Sequence, residues 1–381
     1  MYLKVSLGRI IKGVRHNLIN STPFDFYRTF LYNTVPFMKH EILLEGKMPE
    51  TFQAIERKED PLPICIEIHP TDFCNQGCLY CFGSGQGREG IITRQTQKYM
   101  SIDDYSALFH EMASKNIKDL SISGGGEPFL SSDIYGIFSL ALDNGLRVRT
   151  VTNGNVLNQG LIDLVLRTQE IRFSIDTPDP MTYSKMRRVS PALHAKTINN
   201  IDQLVRAKSL SGSSLEIGAT CIVGEDNAEQ IEALADLMLG QLNIDHLIIK
   251  SDIYGNVKPS SGEQDSIATQ ITRVEDKYGD RVDHRSTDDE FETGKPCVVP
   301  HFKAVINPYG EFYSCCLGAQ PGEKNGYRFG DVKSEIEAGN PSALITVWDR
   351  TKKVRDQMYK NVGCTNCNHT DRRINDAYSN Q

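Results

Sequence analysis

Between Pro61 and Gly255 the chain alternates short β-branched runs with amphipathic helical stretches, a pattern that commits it to repeated strand–helix units around a parallel sheet. Six runs read as strands: ICIEIH ending at His69, LSIS at Ser123, RVRTVT at Thr152, IRFSID at Asp176, LEIGATCIV at Val223 and HLIIK at Lys250. Stretches such as SIDDYSALFHEMASKN and NAEQIEALADLML supply the helices between them. Six units fall short of the eight that close a full barrel, so the expected fold is α/β, a partial (βα)6 barrel of the TIM type over residues 61–255. A mostly helical extension (1–60) precedes it. A polar connection (256–293) and a compact cysteine-containing segment (294–381) follow. In a parallel barrel the loops leaving the strands' C-terminal ends converge on one face, and the unusual motifs of residues 61–255 all lie at such ends.

A length of 381 residues with 39% hydrophobic content suits one large domain plus a smaller one. The net charge of -7 opposes the salt-sensitive attraction that drives non-specific nucleic-acid binding, so nucleic acid is not an expected partner. No run approaches the roughly 18 apolar residues of a transmembrane helix. The N-terminal 20 residues carry Lys4, Arg9, Lys12 and Arg15 but no secretory cleavage pattern, and their apolar stripe reads as docking on the protein's own core, with a membrane surface as the alternative. A cytoplasmic location is expected. There, ten cysteines point to metal ligands or catalytic thiols rather than disulfides.

The loop after the first strand, TDFCNQGCLYCFG, places Cys74, Cys78 and Cys81 in the spacing Cys-x3-Cys-x2-Cys. Three thiolates can hold three corners of a 4Fe–4S cube and leave its fourth iron open. A closed structural zinc site is the bland alternative, but it usually takes four ligands. The loop, with Tyr80 before the third cysteine, resembles the signature of the radical S-adenosylmethionine (SAM) superfamily. The resemblance continues through GGGEP, TNGN, SIDTPDP and IVGEDN at the next four strand ends.

The resemblance implies that SAM chelates the open iron, that one electron from the cluster breaks its sulfur–C5′ bond, and that the resulting 5′-deoxyadenosyl radical abstracts a substrate hydrogen. It also implies a low-potential electron donor such as ferredoxin or flavodoxin. Gly124, Gly125 and Gly126 would let the backbone approach the methionyl group, with Glu127 accepting a hydrogen bond nearby. Ser174 and Asp176 would meet the ribose or carboxylate, Tyr80 and the main chain of Ile222 and Val223 the adenine. Asn153 would contact SAM or form a turn. Arg187 or Arg188, with Arg188 preferred, would lie near the SAM carboxylate.

Near the C-terminus, CVVPHFKAVINPYGEFYSCC and VGCTNCNH resemble the SPASM and twitch domains, in which a β-hairpin carries ligands of an auxiliary cluster. The resemblance implies Cys297, Cys315, Cys364 and Cys367 as ligands of a second 4Fe–4S cluster, with Cys315 fitting the spacing better than Cys316; four thiolates binding zinc stays open. Five cysteines rather than seven suit the shorter twitch form. Among the remaining residues, Cys221 and Cys316 are candidate hydrogen-atom donors, and Lys250 and Asp252 are candidates to orient or deprotonate a substrate. Cys65 and His69 read as structural. The expected activity is oxidation or epimerisation of a small hydroxylated molecule such as a sugar or aminocyclitol. Modification of a ribosomally made peptide is the alternative, and a non-catalytic iron–sulfur electron carrier is the competing class.

Overall fold

The computed structural model describes residues 47–81, 98–253, 255–285, 297–316, 319, 328–360, 367 and 369–379. The expected N-terminal amphipathic helix and Cys364 lie outside them. A helix, α1 (Lys47–Glu56), leads into β1 (Cys65–Ile68). The next strands are β2 (Asp119–Ile122), β3 (Arg147–Thr152), β4 (Glu170–Ser174), β5 (Glu216–Val223) and β6 (His246–Ser251), all parallel and adjacent in chain order. Between them run α2 (Ile102–Ser114), α3 (Ile134–Asp143), α4 (Gln159–Val165), α5 (Pro180–Arg187), α6 (Ala192–Ser211) and α7 (Ile231–Ala235). The helices form where local signals agree. In α2 a Ser101/Asp104 capping box starts the first turn, and Tyr105, Leu108, Phe109 and Met112 recur on one buried face.

Each strand divides its side chains between two faces. Ile66, Ile68, Leu120, Ile122, Val148, Ile171, Phe173, Ile217, Ala219, Leu247 and Ile249 join the main core under the helices. The residues between them, Glu67, Ser121, Arg149, Arg172, Ser174, Thr220 and Lys250, face the barrel interior. That interior is charged and paired. Glu170 is fully buried, with Arg149, Arg172 and His246 at 3.2–3.3 Å. Burial opposes its ionisation, but Arg172, His246 and Arg149 outweigh burial and bring its pKa down to about 2.

The sheet continues past the expected sixth strand. Residues 256–293, expected as a polar connection, contain α8 (Ser261–Tyr278) and β7 (Val282–Arg285), which pairs parallel with β6. The strand is hard to see in VDHR because Asp283 and Arg285 face inward, where they pair at 2.6 Å, and only Val282 joins the core. The helix buries only a narrow stripe, Gln270, Ile271 and Val274, on a polar background. Beyond Cys297, β8 (Lys303–Ile306) pairs parallel with β1, followed by the hairpin strands β9 (Glu311–Tyr313) and β10 (Arg328–Asp331). Among the described residues one ten-stranded sheet results, ordered β10-β9-β8-β1-β2-β3-β4-β5-β6-β7.

The C-terminal segment therefore shares the barrel's core. After α9 (Val332–Glu337), α10 (Ala343–Arg350) contributes Ala343, Leu344, Val347 and Trp348 to it, and Glu111 of α2 accepts the N–H groups of Leu344 and Ile345 at 2.8 and 3.0 Å. From α11 (Lys352–Lys360), Arg355 stacks on Trp348 and pairs with Asp60 at 2.7 Å. The last helix, α12 (His369–Ser379), bridges β7 and β8: Arg373 pairs with Asp283 and Asp371 with Lys303, each at 2.8 Å. Among the described residues no helix is long and apolar enough to cross a membrane.

The interior packing makes one glycine indispensable. A Cβ on Gly218 of β5 would stand 2.1 Å from Nε2 of His246 on the neighbouring strand. Gly218→Ala is expected to cost about 1–3 kcal/mol through overpacking, read as a lower urea midpoint; an unchanged midpoint would contradict the inward placement of His246.

Candidate functional site

The three cysteines of the first cluster motif sit half-buried on the loop leaving the C-terminal end of β1. Two main-chain bonds tie this loop to α5: Gly77 N–H donates to Arg187 O at 3.0 Å and Leu79 N–H to Met186 O at 2.9 Å. On its other side Glu127 N–H donates to Phe73 O at 2.8 Å. That approach explains Gly126, because a Cβ there would lie 2.3 Å from Phe73 O. At Gly126, then, the glycine turn makes room for the cysteine loop itself. Burial pushes the Cys78 thiol up to about 11, opposed by the Arg187 cation, and the Cys74 and Cys81 sulfurs lie within its field.

At the centre of the strand ends stands a buried ion pair. Asp176 and Arg187 are each 2% exposed, and Arg187 approaches Asp176 Oδ2 with Nη2 at 2.7 Å and Nε at 2.8 Å. The hydroxyl of Tyr80 also donates to Oδ2, and Ile222 N–H donates to Oδ1 at 2.9 Å. Asn227 Nδ2 closes the far side, donating to Asp176 O at 2.7 Å and Ile222 O at 2.9 Å. Asp176, expected at the SAM ribose or carboxylate, gathers the cysteine loop, α5 and β5 with its own carboxylate. The Ile222 main chain, expected at adenine, is hydrogen-bonded through both its N–H and its carbonyl.

Arg187 is the arginine turned into the site, and its remaining Nη1 donates to Gln76 Oε1 at 2.9 Å. Arg188, preferred from the sequence, is exposed and caps α5 in the left-handed conformation at φ 52°. The chain must bend there to leave the helix, which turns its side chain outward. Glu127 is also occupied: it accepts from Thr152 Oγ1 at 2.6 Å, Asn153 N–H at 2.7 Å and Phe129 N–H at 3.1 Å. Asn153 in turn donates to Asn75 Oδ1 at 2.7 Å. Gly124, Gly125 and Ser174 line the strand ends half-buried.

The leftover candidates separate by strand face. Cys221 shares the face of Ile217, Ala219 and Val223 and belongs to the core under the helices, turned away from the barrel interior. Asp252 accepts the N–H groups of Asn256 and Val257 at 2.6 and 3.1 Å, capping the turn after β6. Lys250 faces the interior, half-buried. His69 is 1% exposed and bonds Glu67 at 3.0 Å, and Cys65 is buried against α1.

A second group of thiols gathers beside β8 and α12. Burial raises the Cys367 thiol, and Asp371 and the sulfurs of Cys297, Cys315 and Cys316 add to the effect. Burial pushes Cys297 up to about 12, and Asn375 Nδ2 reaches its sulfur at 3.6 Å. Cys316 packs against the cluster of Val305, Tyr313 and Ala319, with the cation of Lys303, an interior-facing residue of β8, acting on its thiol. Among the described residues no three Cys, His, Asp or Glu side chains converge on a single-ion site.

Removing one partner of a buried ion pair strands the other. Arg187→Met should therefore destabilise the fold by about 3–5 kcal/mol, whereas Arg188→Ala should stay within about 0.5 kcal/mol. Urea denaturation of both variants checks this ordering, and equal effects would contradict it.

Residues 68–238 match the radical SAM superfamily. A probable GTP 3′,8-cyclase of Pyrobaculum aerophilum is 30% identical over 154 residues, 40% of this chain and 46% of the relative. The mycofactocin maturase MftC of Mycolicibacterium smegmatis is 22% identical over 349 residues, 85% of this chain and 80% of the relative. Among solved structures, SuiB of Streptococcus suis aligns with a TM-score of 0.58 at 14% identity, covering 93% of this chain and 78% of SuiB, a likeness of fold. The match spans about half the length of the cyclase and 61% of a nucleotide dehydratase from Psychrobacter lutiphocae. With this match, the cysteine loop at the end of β1 and the motifs at the following strand ends, the chain carries a radical SAM domain, which implies a 4Fe–4S cluster and SAM.

Proposed function

We propose that this protein is a radical SAM enzyme that removes hydrogen from a peptide substrate, with a second iron–sulfur site on Cys297, Cys315, Cys364 and Cys367. Cys74, Cys78 and Cys81 would hold the first cluster. With SAM, that cluster supplies a one-electron cleavage yielding the 5′-deoxyadenosyl radical. The chain's own residues shape the reaction space: Asp176 and Arg187 fix the strand ends, and Glu127 locks the glycine turn to β3. The auxiliary site, closed by four thiolates, would accept or pass electrons rather than bind substrate. Physiological reduction would come from a ferredoxin- or flavodoxin-like donor.

The peptide reading rests on the reach of one similarity and on one shared fold: the match to the mycofactocin maturase extends over 85% of the chain, well beyond residues 68–238, whereas the cyclase match covers 40%, and SuiB, which shares the fold, is solved with a precursor peptide. A second reading, oxidation or epimerisation of a small hydroxylated molecule, is supported by the polar interior face formed by Glu67, Ser121, Ser174, Thr220 and Lys250. For inversion, Cys316 is the better hydrogen-atom donor, since it borders the interior face of β8 while Cys221 lies in the core.

Anaerobically reconstituted protein should hold about eight irons per chain in two four-iron clusters. The joint change of Cys74, Cys78 and Cys81 to alanine should remove about half of them and abolish 5′-deoxyadenosine formation from SAM and dithionite. Full iron retention would refute the first assignment. Host-cell extract split by dialysis separates the substrate readings: stimulation of SAM cleavage by the retained fraction, lost on protease treatment, is expected for a peptide, and stimulation by the dialysate alone would favour the small molecule.

A further inference from the structure

We infer that Gln76 is a positioning residue, a clasp that holds the cysteine loop in its cluster-binding shape independently of iron; this rests on the reading of Cys74, Cys78 and Cys81 as cluster ligands. Gln76 lies between the first two of these cysteines, yet its side chain turns away from the loop's open side and is 7% exposed. Three of its hydrogen-bonding directions are met by other elements, and the second lone pair of Oε1 faces Cys78 of the loop itself. Oε1 accepts from Arg187 Nη1 at 2.9 Å, and Nε2 donates to Asn155 Oδ1 at 2.8 Å and to the Tyr183 hydroxyl at 2.9 Å.

Each partner is itself fixed. Arg187 is held by Asp176, and Tyr183 is fully buried on α5. Asn155 follows β3, where its own N–H donates to Asn153 Oδ1 at 3.0 Å and its Nδ2 to Thr197 Oγ1 of α6 at 2.7 Å. The clasp thus joins the loop to α5, α6 and the end of β3. The main-chain bonds of Gly77 and Leu79 to the last turn of α5 flank it. Only a primary amide offers an acceptor to the guanidinium and two donors to the opposite wall. A carboxylate in its place keeps the first contact but faces Asn155 Oδ1 with a second acceptor. A leucine of similar size leaves Arg187, Asn155 and Tyr183 each short of a buried partner.

The loop is therefore bonded on both sides without calling on a cysteine sulfur as a ligand. One thiol does take part: Cys78 Sγ lies 3.6 Å from Gln76 Oε1. Coordination of that sulfur would leave the three other contacts intact. The consequence is a preformed cradle, in which binding iron does not bear the entropy cost of ordering the loop.

The test uses the full chain, anaerobic, as wild type, Gln76→Leu and Tyr183→Phe. In iron-free protein, peptide-level hydrogen exchange over residues 74–81 should be about tenfold faster in Gln76→Leu, the equivalent of about 1.4 kcal/mol of local stability. After reconstitution this variant should lose its first cluster to EDTA about tenfold faster, with starting iron content close to wild type. Tyr183→Phe, which removes one of the three partners, should show both effects to a smaller degree. Exchange and iron release in Gln76→Leu equal to wild type overturn the clasp. If Gln76→Leu does not fold, wild-type exchange in Tyr183→Phe overturns it equally. Failure of the parent reading looks different: the triple cysteine variant would then retain wild-type iron, whatever Gln76 does.

Discussion

The buried ion pair between Asp176 and Arg187 is the contact on which the rest of the site depends. Two charges taken out of water at 2% exposure are tolerated only because each is fully engaged, Asp176 by Tyr80 and Ile222 as well as Arg187, and Arg187 by Gln76 in addition. Through these bonds one carboxylate connects β4, β5, α5 and the loop bearing three cysteines. A neutral or apolar substitute at either position would pack, but it would not carry the directional bonds that join β4 to three other elements. The pair is thus a device of specificity more than of net stability: it fixes where the loop stands relative to the glycine turn.

A second constraint acts inside the barrel. Charged residues such as Glu170, Arg149, Arg172 and His246 fill its interior in mutually compensating sets. Along the seam between β7 and β8, α12 supplies Asp371 to Lys303 and Arg373 to Asp283. Cys367 precedes that helix directly, and Cys297 contacts it through Asn375. The second thiol group therefore sits where the C-terminal helix meets β8. A metal bound there would brace the helix that spans this seam.

Much of the fold was legible, because period-two alternation and helix caps fix strands and helices locally. The six expected strands and the cysteine loop at the end of the first reflect this. The strand β7 was missed because its inward residues, Asp283 and Arg285, are charged, so that burial is disguised as polarity. The parallel pairing of β8 with β1 is non-local, joining residues 303 and 65, and no spacing in the chain announces it. At the site, motif order located the strand ends but not the use of each lone pair. Glu127 and Asp176 read as ligands for a cofactor, yet their oxygens are engaged by Thr152, Asn153, Tyr80, Ile222 and Arg187. Gln76, Asn155 and Tyr183 carried no signal, since each looks ordinary until the fold brings them into one buried network.

The central claim is that the loop after β1 holds a four-iron cluster with one iron left open for SAM. Electron paramagnetic resonance of the dithionite-reduced protein tests it most directly, in a variant with Cys297 and Cys315 changed to alanine so that the first cluster alone contributes. The account predicts a reduced-cluster signal whose g-values shift when SAM is added, because a new ligand enters the iron's coordination sphere. A signal unchanged by saturating SAM, or no signal from a variant that still binds iron, would contradict it.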